Sequence, residues 1–151
     1  MPPVASWREV REQAAELAAA VEERFAERKH CTLATLRVDG SPRISGIEVQ
    51  FEGDEVRIGS MLGAVKARDL QRDPRFALHS ATVDPPEDPT AWPGEAKLAG
   101  RAVETSSPGD DAHMWRLDVR EVVLTRIDAE GQGLEIASWH QGAGVRVRRR
   151  S

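Results

Sequence analysis

The sequence predicts a mainly-β (α+β) domain with six or seven mostly antiparallel strands, arranged as a barrel or a sandwich. A long N-terminal helix and a short helix after the third strand complete the predicted elements. Short runs of β-forming residues, separated by Gly, Asp and Pro turn signals, predict the strands. Apolar residues three and four apart predict the first helix. The 151 residues, 40% of them hydrophobic, suit one domain over 1–151.

Composition excludes several classes of protein. A net charge of −4 with ordinary apolar content is unlike a disordered chain. We find no run of 18 apolar residues, so we expect no membrane span, and the first residues lack a basic-then-apolar signal segment, so we expect a cytoplasmic protein. The single cysteine, Cys31, excludes an internal disulfide and a cysteine-rich zinc site. An isoelectric point near 5.6 argues against a nucleic-acid partner.

Residues 6–28 are expected to form one amphipathic helix. Ser6 is the predicted N-cap, and Glu9 completes a capping box with it. One apolar stripe follows, made of Trp7, Val10, Ala14, Leu17, Val21 and Phe25. We favour a helix laid on the body of the domain. The alternative is a short dimer-forming coil, which the many alanines disfavour.

Residues 30–140 are expected to form the barrel. A three-stranded antiparallel meander is predicted at 31–38, 42–51 and 55–59, with turns at Asp39-Gly40 and Gly53-Asp54. A helix over 63–73 follows, and Pro74 ends it. Further strands are predicted at 75–82, 95–105, 117–127 and 133–139. The proline-rich segment 83–94 is expected to be a loop, either a flap over a site or a contact with a partner chain.

No protein nucleophile with its base is evident. The four histidines show no metal-ligand spacing, so no metal site is expected, and Cys31 and His30 point to opposite faces of a strand. Motifs such as GxSxG, HExxH and GxxxxGK[ST] do not occur in the sequence. An enzyme with this sequence would therefore take its chemistry from a cofactor, and we assign no catalytic residue.

The segment 59–68 is a candidate anion site. A strand ends there at Ser60, a glycine follows at position 63, and a helix begins beside Lys66. Free amides in the first turn of a helix, a hydroxyl and an ammonium group would all favour a bound anion. The alternative is an ordinary strand-to-helix turn with a solvated lysine.

Arg43 and Ser45 share one face of the second predicted strand, because side chains alternate along a strand. Ile47, Val49 and Phe51 continue that face with apolar groups. Such a row suits a ligand with a charged tail and a flat ring. The alternative is an arginine at a strand end that reaches solvent.

Three stretches of the sequence resemble a known family. They are SPRISGIEVQF, VRIGSMLGAVKARDLQRDPRFALHS and LEIASWHQGAGVRVRRR. Together they resemble the pyridoxamine 5′-phosphate oxidase-like proteins, and in particular the actinobacterial flavin and deazaflavin (F420) oxidoreductases with a split β-barrel. The resemblance runs from about residue 30 to the end, and Lys66–Arg75 is its most specific part. It implies an FMN- or F420-binding split barrel.

The resemblance also implies site residues and a homodimer. Arg43 and Ser45 would contact the cofactor's phosphate or ribityl chain, Ser60 and Lys66 would bind the phosphate, and the backbone at Gly46 and Ile47 would lie along the ring. Trp139 and Arg146 match the family's C-terminal pattern and would serve the cofactor site of the partner, because members are homodimers with two sites at the subunit interface.

One departure from the family bears on function. Vitamin B6 oxidases end in an R-L-H-D-R type motif, whereas this chain has Arg146-Val147-Arg148-Arg149 and lacks the His and Asp. We therefore expect an oxidoreductase that transfers a hydride between F420, or alternatively FMN, and a small conjugated organic substrate, and not a true pyridoxamine phosphate oxidase. The alternative is a non-catalytic carrier or sensor for F420, flavin or haem. The basic tail 141–151 would meet an anionic cofactor tail or be a solvated, partly disordered terminus.

Overall fold

The structure is a computed structural model that describes residues 3–151; the first two residues of the expected domain lie outside it. Helices α1 (Trp7–Gln13), α2 (Ala15–Ala26) and α3 (Val65–Arg72) accompany eight strands, and a short 3₁₀ turn spans Pro89–Ala91. The strands are β1 (His30–Leu36), β2 (Pro42–Glu52), β3 (Glu55–Met61), β4 (Arg75–His79), β5 (Glu95–Glu104), β6 (Ala112–Ile127), β7 (Leu134–His140) and β8 (Gly144–Arg150).

The strands form one antiparallel sheet in the order β3-β2-β1-β4-β5-β6-β7-β8. An additional pairing of β3 with β6 closes the first six strands into a barrel, while β7 and β8 extend the sheet beyond it. The predicted mainly-β class and the antiparallel barrel are confirmed. So is the meander, since β1 pairs with β2 and β2 with β3.

The barrel is split between β2 and β3. These strands pair from Glu52↔Glu55 to Val49↔Ile58, and there their ladder stops. Beyond that point β2 continues its pairing with β1, from His30↔Glu48 to Leu36↔Pro42, while the end of β3 pairs with β6 at residues 59–61. Each strand thus turns an unpaired backbone edge toward the other.

Three predicted elements differ from the structure. The single helix over 6–28 is two helices, because Ala14 leaves the helical conformation at φ −144° and ψ 60°. The break lets α1 pack against β3 and β6 while α2 packs against β5 and β6. The sixth strand begins at Ala112 rather than at 117. The basic tail is not a loose terminus, since β8 pairs with β7 over seven residue pairs.

The core lies between the helices and the inner faces of the strands. Ser6 caps α1 with the predicted capping box. Phe51 links the strands to both N-terminal helices, with its ring centroid 5.2 Å from that of Trp7 and 5.6 Å from that of Phe25. The predicted stripe is buried throughout, at Trp7, Val10, Ala14, Leu17, Val21 and Phe25.

Gly100 is required by a close approach of two backbones. The register of β5 and β6 shifts between Ala99 and Gly100, and a Cβ at Gly100 would lie 2.0 Å from the carbonyl oxygen of Asp118 and 2.7 Å from Cα of Val119. We expect Gly100→Ala to lower the free energy of unfolding by about 1–3 kcal/mol, because backbone atoms must move. Denaturant unfolding measures this. Gly46→Ala is the matched control, since a Cβ there meets no described atom within 4 Å; an equal loss in both variants would contradict the explanation.

Candidate functional site

An open cleft of about 510 Å³ lies where β2 and β3 separate. Its walls are the outer face of β2, the end of β3, Lys66 of α3 and Met114 of β6. Volumes of this size hold small ligands and cofactors in other proteins. The split in the barrel is therefore also its candidate binding site.

Two glycines line this cleft, and one of them, Gly46, leaves its backbone bare. Gly46 lies on the outer face of β2, and a side chain there would extend into open space. Gly59 lies near the end of β3, where a Cβ would come within 2.9 Å of Sδ of Met114. A strand surface without side chains accepts a flat group at van der Waals distance. The expectation that the backbone at Gly46 faces a ring is consistent with this geometry.

Lys66 reaches from α3 across the split. Its Nζ donates a hydrogen bond of 2.7 Å to the carbonyl oxygen of Gly46, one of the groups on the unpaired edge of β2. The first turn of α3 adds free amides, since no side chain in the described part of the chain caps the helix at Ala64. The lysine of the predicted anion site thus lies in the cleft and joins α3 to β2.

Ser60 also lines the cleft, and its hydroxyl group makes no hydrogen bond to the described residues. The Oγ is buried and has no hydrogen-bond partner among the described residues. A buried hydroxyl without a partner costs free energy. Ser60 therefore has hydrogen-bonding capacity that the protein itself does not use.

Arg43 is held away from the cleft by an ion pair. Its Nε donates to Oδ2 of Asp69 on α3 at 2.7 Å, and the same carboxylate accepts from Thr35 Oγ1 at 2.7 Å and from Arg72 Nη2 at 3.0 Å. Burial by itself would raise the pKa of Asp69, but the hydrogen bonds from Arg43, Thr35 and Arg72 outweigh burial and hold the pKa below its usual value. Neither of the two interpretations of Arg43, phosphate ligand or solvated arginine, anticipated this partner.

Ser45 and Ile47 share the inner face of β2 with Arg43, as the alternation predicted. Ser45 is half-buried and Ile47 is a core residue with 5% exposure, so Ile47 touches the cleft only along its backbone. The carbonyl of Ile47 accepts a weak hydrogen bond from Sγ of Cys31 at 3.4 Å. Burial raises the pKa of the Cys31 thiol to about 11, which agrees with an inert core cysteine.

Trp139 and Arg146 lie outside this cleft. Trp139 is fully buried, and its indole N–H donates to Oε1 of Gln13 at 3.3 Å, so the structure gives it a packing role instead of contact with a cofactor. Arg146 is exposed on β8 and borders a separate depression beside Ser138 and His140. Within one chain the structure brings together Gly46, Ile47, Ser60 and Lys66 of the predicted set, with Arg43 and Ser45 on the adjoining inner face.

Several lining residues were missed by sequence reasoning. His30, Glu48, Arg57, Met61 and Met114 all border the cleft. The outer face of β2 and β3 carries most of them, and alternation along the predicted hairpin could have identified that face. Met114 could not be found in this way, because only the closure of β3 on β6 brings it to the site.

Gly46→Val tests the bare strand surface. We expect a loss of cofactor affinity of about tenfold or more, because the added methyl groups occupy the position of a flat ligand, while valine suits a strand. Equilibrium titration of the variant measures the loss. Ile44→Val is the control on the same outer face, at a residue that does not line the cleft. Unchanged affinity in Gly46→Val would remove β2 from the site.

An antiparallel barrel opened between two neighbouring strands, with a ligand-sized cleft in the opening, defines a split β-barrel protein. Residues 17–134 match the sequence model of the pyridoxamine 5′-phosphate oxidase family, so the chain belongs to this family. No curated protein matches the sequence.

Solved structures share the fold at low sequence identity. A pyridoxamine 5′-phosphate oxidase-related, FMN-binding protein from Nostoc punctiforme PCC 73102 has a TM-score of 0.63 at 11% identity, over 91% of this chain and 96% of its own. PhzG from Burkholderia lata 383, in complex with tetrahydrophenazine-1-carboxylic acid, has a TM-score of 0.64 at 14% identity, over 99% and 94%. A haem-binding protein from Mycobacterium smegmatis has a TM-score of 0.58 at 18% identity, over 87% of both chains. At these identities the likeness shows the fold alone.

Within residues 3–151, no helix has the length and apolar character needed to cross a bilayer.

Proposed function

We propose that this protein is an oxidoreductase that binds F420, or alternatively FMN, in the cleft between β2 and β3. The observation that carries the proposal is the joint presence of Lys66, the orphaned hydroxyl of Ser60 and the bare backbone of Gly46 in one cleft. A phosphate-bearing flat ring system uses all three. The FMN-binding protein, and PhzG in complex with tetrahydrophenazine-1-carboxylic acid, have this fold, which supports the proposal.

Each residue has a role in this proposal. Lys66 and the first turn of α3 hold the phosphate, and the hydroxyl of Ser60 donates to it or to the adjoining chain. Gly46 allows the ring to lie against the backbone. Free edge amides of β2 are placed to bond the polar rim of a ring. Ser45 lies on the inner face of β2, outside the cleft lining, and Arg43 acts indirectly, through its pair with Asp69.

The bound cofactor would supply the hydride chemistry, and the protein would orient it and exclude water. The acceptor we propose is a small conjugated organic molecule, and not pyridoxamine phosphate, because the His and Asp of the vitamin B6 oxidase motif are absent from the C-terminus. We place the activity in the cytoplasm, which cell fractionation tests.

The first experiment is a titration of the purified protein with F420, FMN and haem, followed by fluorescence and absorbance. We expect saturable binding of F420 or FMN. Turnover of the bound, reduced cofactor with quinones, enones or tetrapyrroles would then establish an enzyme. Binding without turnover would favour a carrier or sensor. Binding of haem alone would favour the function stated for the mycobacterial protein, and binding of none would overturn the proposal.

We further propose a homodimer with cofactor sites at the subunit interface, in which Arg146 and the rest of β8 serve the partner's cleft. Five exposed apolar side chains support it: Ile44, Met61, Leu62, Val65 and Met114, which lie in or beside the cleft and are 39–81% exposed. Apolar exposure of this kind marks a contact surface. Light scattering after size exclusion measures the mass, and a monomer at all concentrations would contradict the proposal.

A further inference from the structure

Helix α3 is attached to β2 by polar contacts at two separate points. Lys66 Nζ donates to the carbonyl oxygen of Gly46 at 2.7 Å. Asp69, one helical turn further along α3, accepts a hydrogen bond of 2.7 Å from Nε of Arg43, which lies three residues before Gly46 on β2. Because the two contacts are separated along both elements, they restrict the rotation of α3 about its axis and its position along β2.

The carboxylate of Asp69 joins α3 to a second strand as well. It accepts from Oγ1 of Thr35 on β1 at 2.7 Å and from Nη2 of Arg72 on α3 at 3.0 Å. Thr35 and Arg43 are partners in the register of β1 and β2. The side chain of Asp69 is only 3% exposed, so these bonds are complete within one chain and do not depend on what a partner subunit adds to the cleft.

Apolar contacts alone could hold α3 against the barrel. Ala67 and Leu70, on the same helix, are fully or almost fully buried. A buried charged group is a less favourable way to obtain the same attachment, because both partners must lose their water. Apolar contacts are non-directional, however, whereas charge-assisted hydrogen bonds require particular angles and distances. Asp69 therefore adds orientation to a helix that apolar burial already holds in place.

We propose that Asp69 is a positioning residue of the cofactor site. Its hydrogen bonds to β1 and β2 set the orientation of α3 at which Lys66 and the free amides of the first turn meet one phosphate. This inference rests on the proposed function, and it assigns a role to a side chain that does not line the cleft. Asp69 acts on the cofactor through Lys66 and makes no contact with the cofactor itself.

A double-mutant cycle tests whether Asp69 acts through Lys66. We expect Asp69→Asn to weaken the binding of F420 or FMN roughly three- to tenfold, because the loss of charge loosens α3 from β2. In the Lys66→Ala background the same change should have almost no further effect, because residues that act as one unit are not additive. Gly100→Ala is the matched control, since it is expected to destabilise the fold at a distant strand pair and should leave the affinity unchanged.

Thr35 offers a second test with a smaller change to the protein. Thr35→Val removes the hydroxyl that donates to Asp69 and nearly preserves the shape of the side chain, whereas Thr35→Ser keeps the hydroxyl. Thr35 is 2% exposed and does not line the cleft. We expect an affinity loss of roughly twofold or more in the valine variant and near-native affinity in the serine variant. Equal affinities in the two variants would contradict the proposal, even if Asp69→Asn fails to fold.

Lysine labelling gives a readout that needs no cofactor. The chain has three lysines, so two of them are internal references: Lys29, Lys66 and Lys97. The protein is treated with acetic anhydride, and the modification of each lysine is measured by mass spectrometry. We expect the labelling of Lys66 to rise roughly twofold or more in Asp69→Asn, because its hydrogen bond to Gly46 is formed less often.

The outcomes separate the inference from the function on which it rests. Binding of neither cofactor overturns the function, and the labelling of Lys66 then decides whether Asp69 positions it. Asp73→Asn is the labelling control, since it breaks an ion pair with Arg75 beyond the end of α3. Labelling of Lys66 that is unchanged in Asp69→Asn, or that rises equally in Asp73→Asn, overturns the inference. An affinity loss in Asp69→Asn that persists in full in the Lys66→Ala background also overturns it.

Discussion

Lys66→Ala is expected to weaken cofactor binding about 10- to 100-fold, because a hydrogen bond to a charged group contributes about 1.5–3 kcal/mol. Its ammonium lines the cleft, where it donates to the carbonyl of Gly46 and, among the described residues, has no carboxylate within ion-pair distance. The loss should shrink as salt is added, since an exposed part of the interaction is screened. Isothermal titration at two salt concentrations measures both effects.

Arg68→Ala is the matched control for this experiment. It removes a cation from the exposed face of the same helix, two residues away and outside the cleft lining. Its effect on affinity should be small. Equal affinity losses in the two variants would mean that the helix acts through its overall charge, and no loss in Lys66→Ala would remove the phosphate site from α3.

Arg43→Ala should act on stability more than on binding. Its removal leaves the buried carboxylate of Asp69 with Thr35 and Arg72 only. We expect the free energy of unfolding to fall by about 2–3 kcal/mol, less than for a fully buried pair, because the Arg43 side chain is 26% exposed. Arg75→Ala is the control, since its pair with Asp73 has an arginine that is 62% exposed and should matter little.

The same pair predicts a pH dependence of stability. The pKa of Asp69 is lower in the folded protein than in the unfolded chain, so the folded state favours the charged form. Its contribution is therefore present above the unfolded pKa, about 3.9, and is lost as the pH falls through the lower folded value. Urea unfolding between neutral and acidic pH should show a steeper loss in the native protein than in Asp69→Asn. Parallel curves would contradict this assignment.

The fold was largely predictable because local signals and global topology agree. Alternating residues and the Asp39-Gly40 turn predicted the meander, and the capping box at Ser6 predicted the start of α1. The break at Ala14 was not predictable, since the apolar stripe continues through it without a glycine or proline. The C-terminal strand was missed because charged residues at four of its seven positions would also suit a solvated tail, and only pairing with β7 decides between them.

The candidate site was predictable only where its residues are close in sequence. Ser60 and Lys66 lie on either side of one strand-to-helix turn, so their spacing in the sequence was enough to place them in one site. The partner of Arg43 lies 26 residues away on α3, and the split that exposes the carbonyl of Gly46 depends on β3 leaving β2 for β6. Such long-range pairings have no local signature. For the same reason the full burial of Trp139 against Gln13, 126 residues earlier, was beyond sequence reasoning.

Strand β6 is shared by two parts of the sheet, and this has a consequence for local unfolding. Its 16 residues pair with β3 and β5 in the barrel and with β7 outside it. The segment Val122–Leu124, which pairs with both β5 and β7, is almost wholly buried. By contrast β8 pairs with β7 and with no other strand within residues 3–151, and it is mostly exposed. Amide protons in the middle of β6 should therefore exchange only on global opening, while those of β8 exchange by local fraying, so that the C-terminal arginines can rearrange without disturbing the barrel.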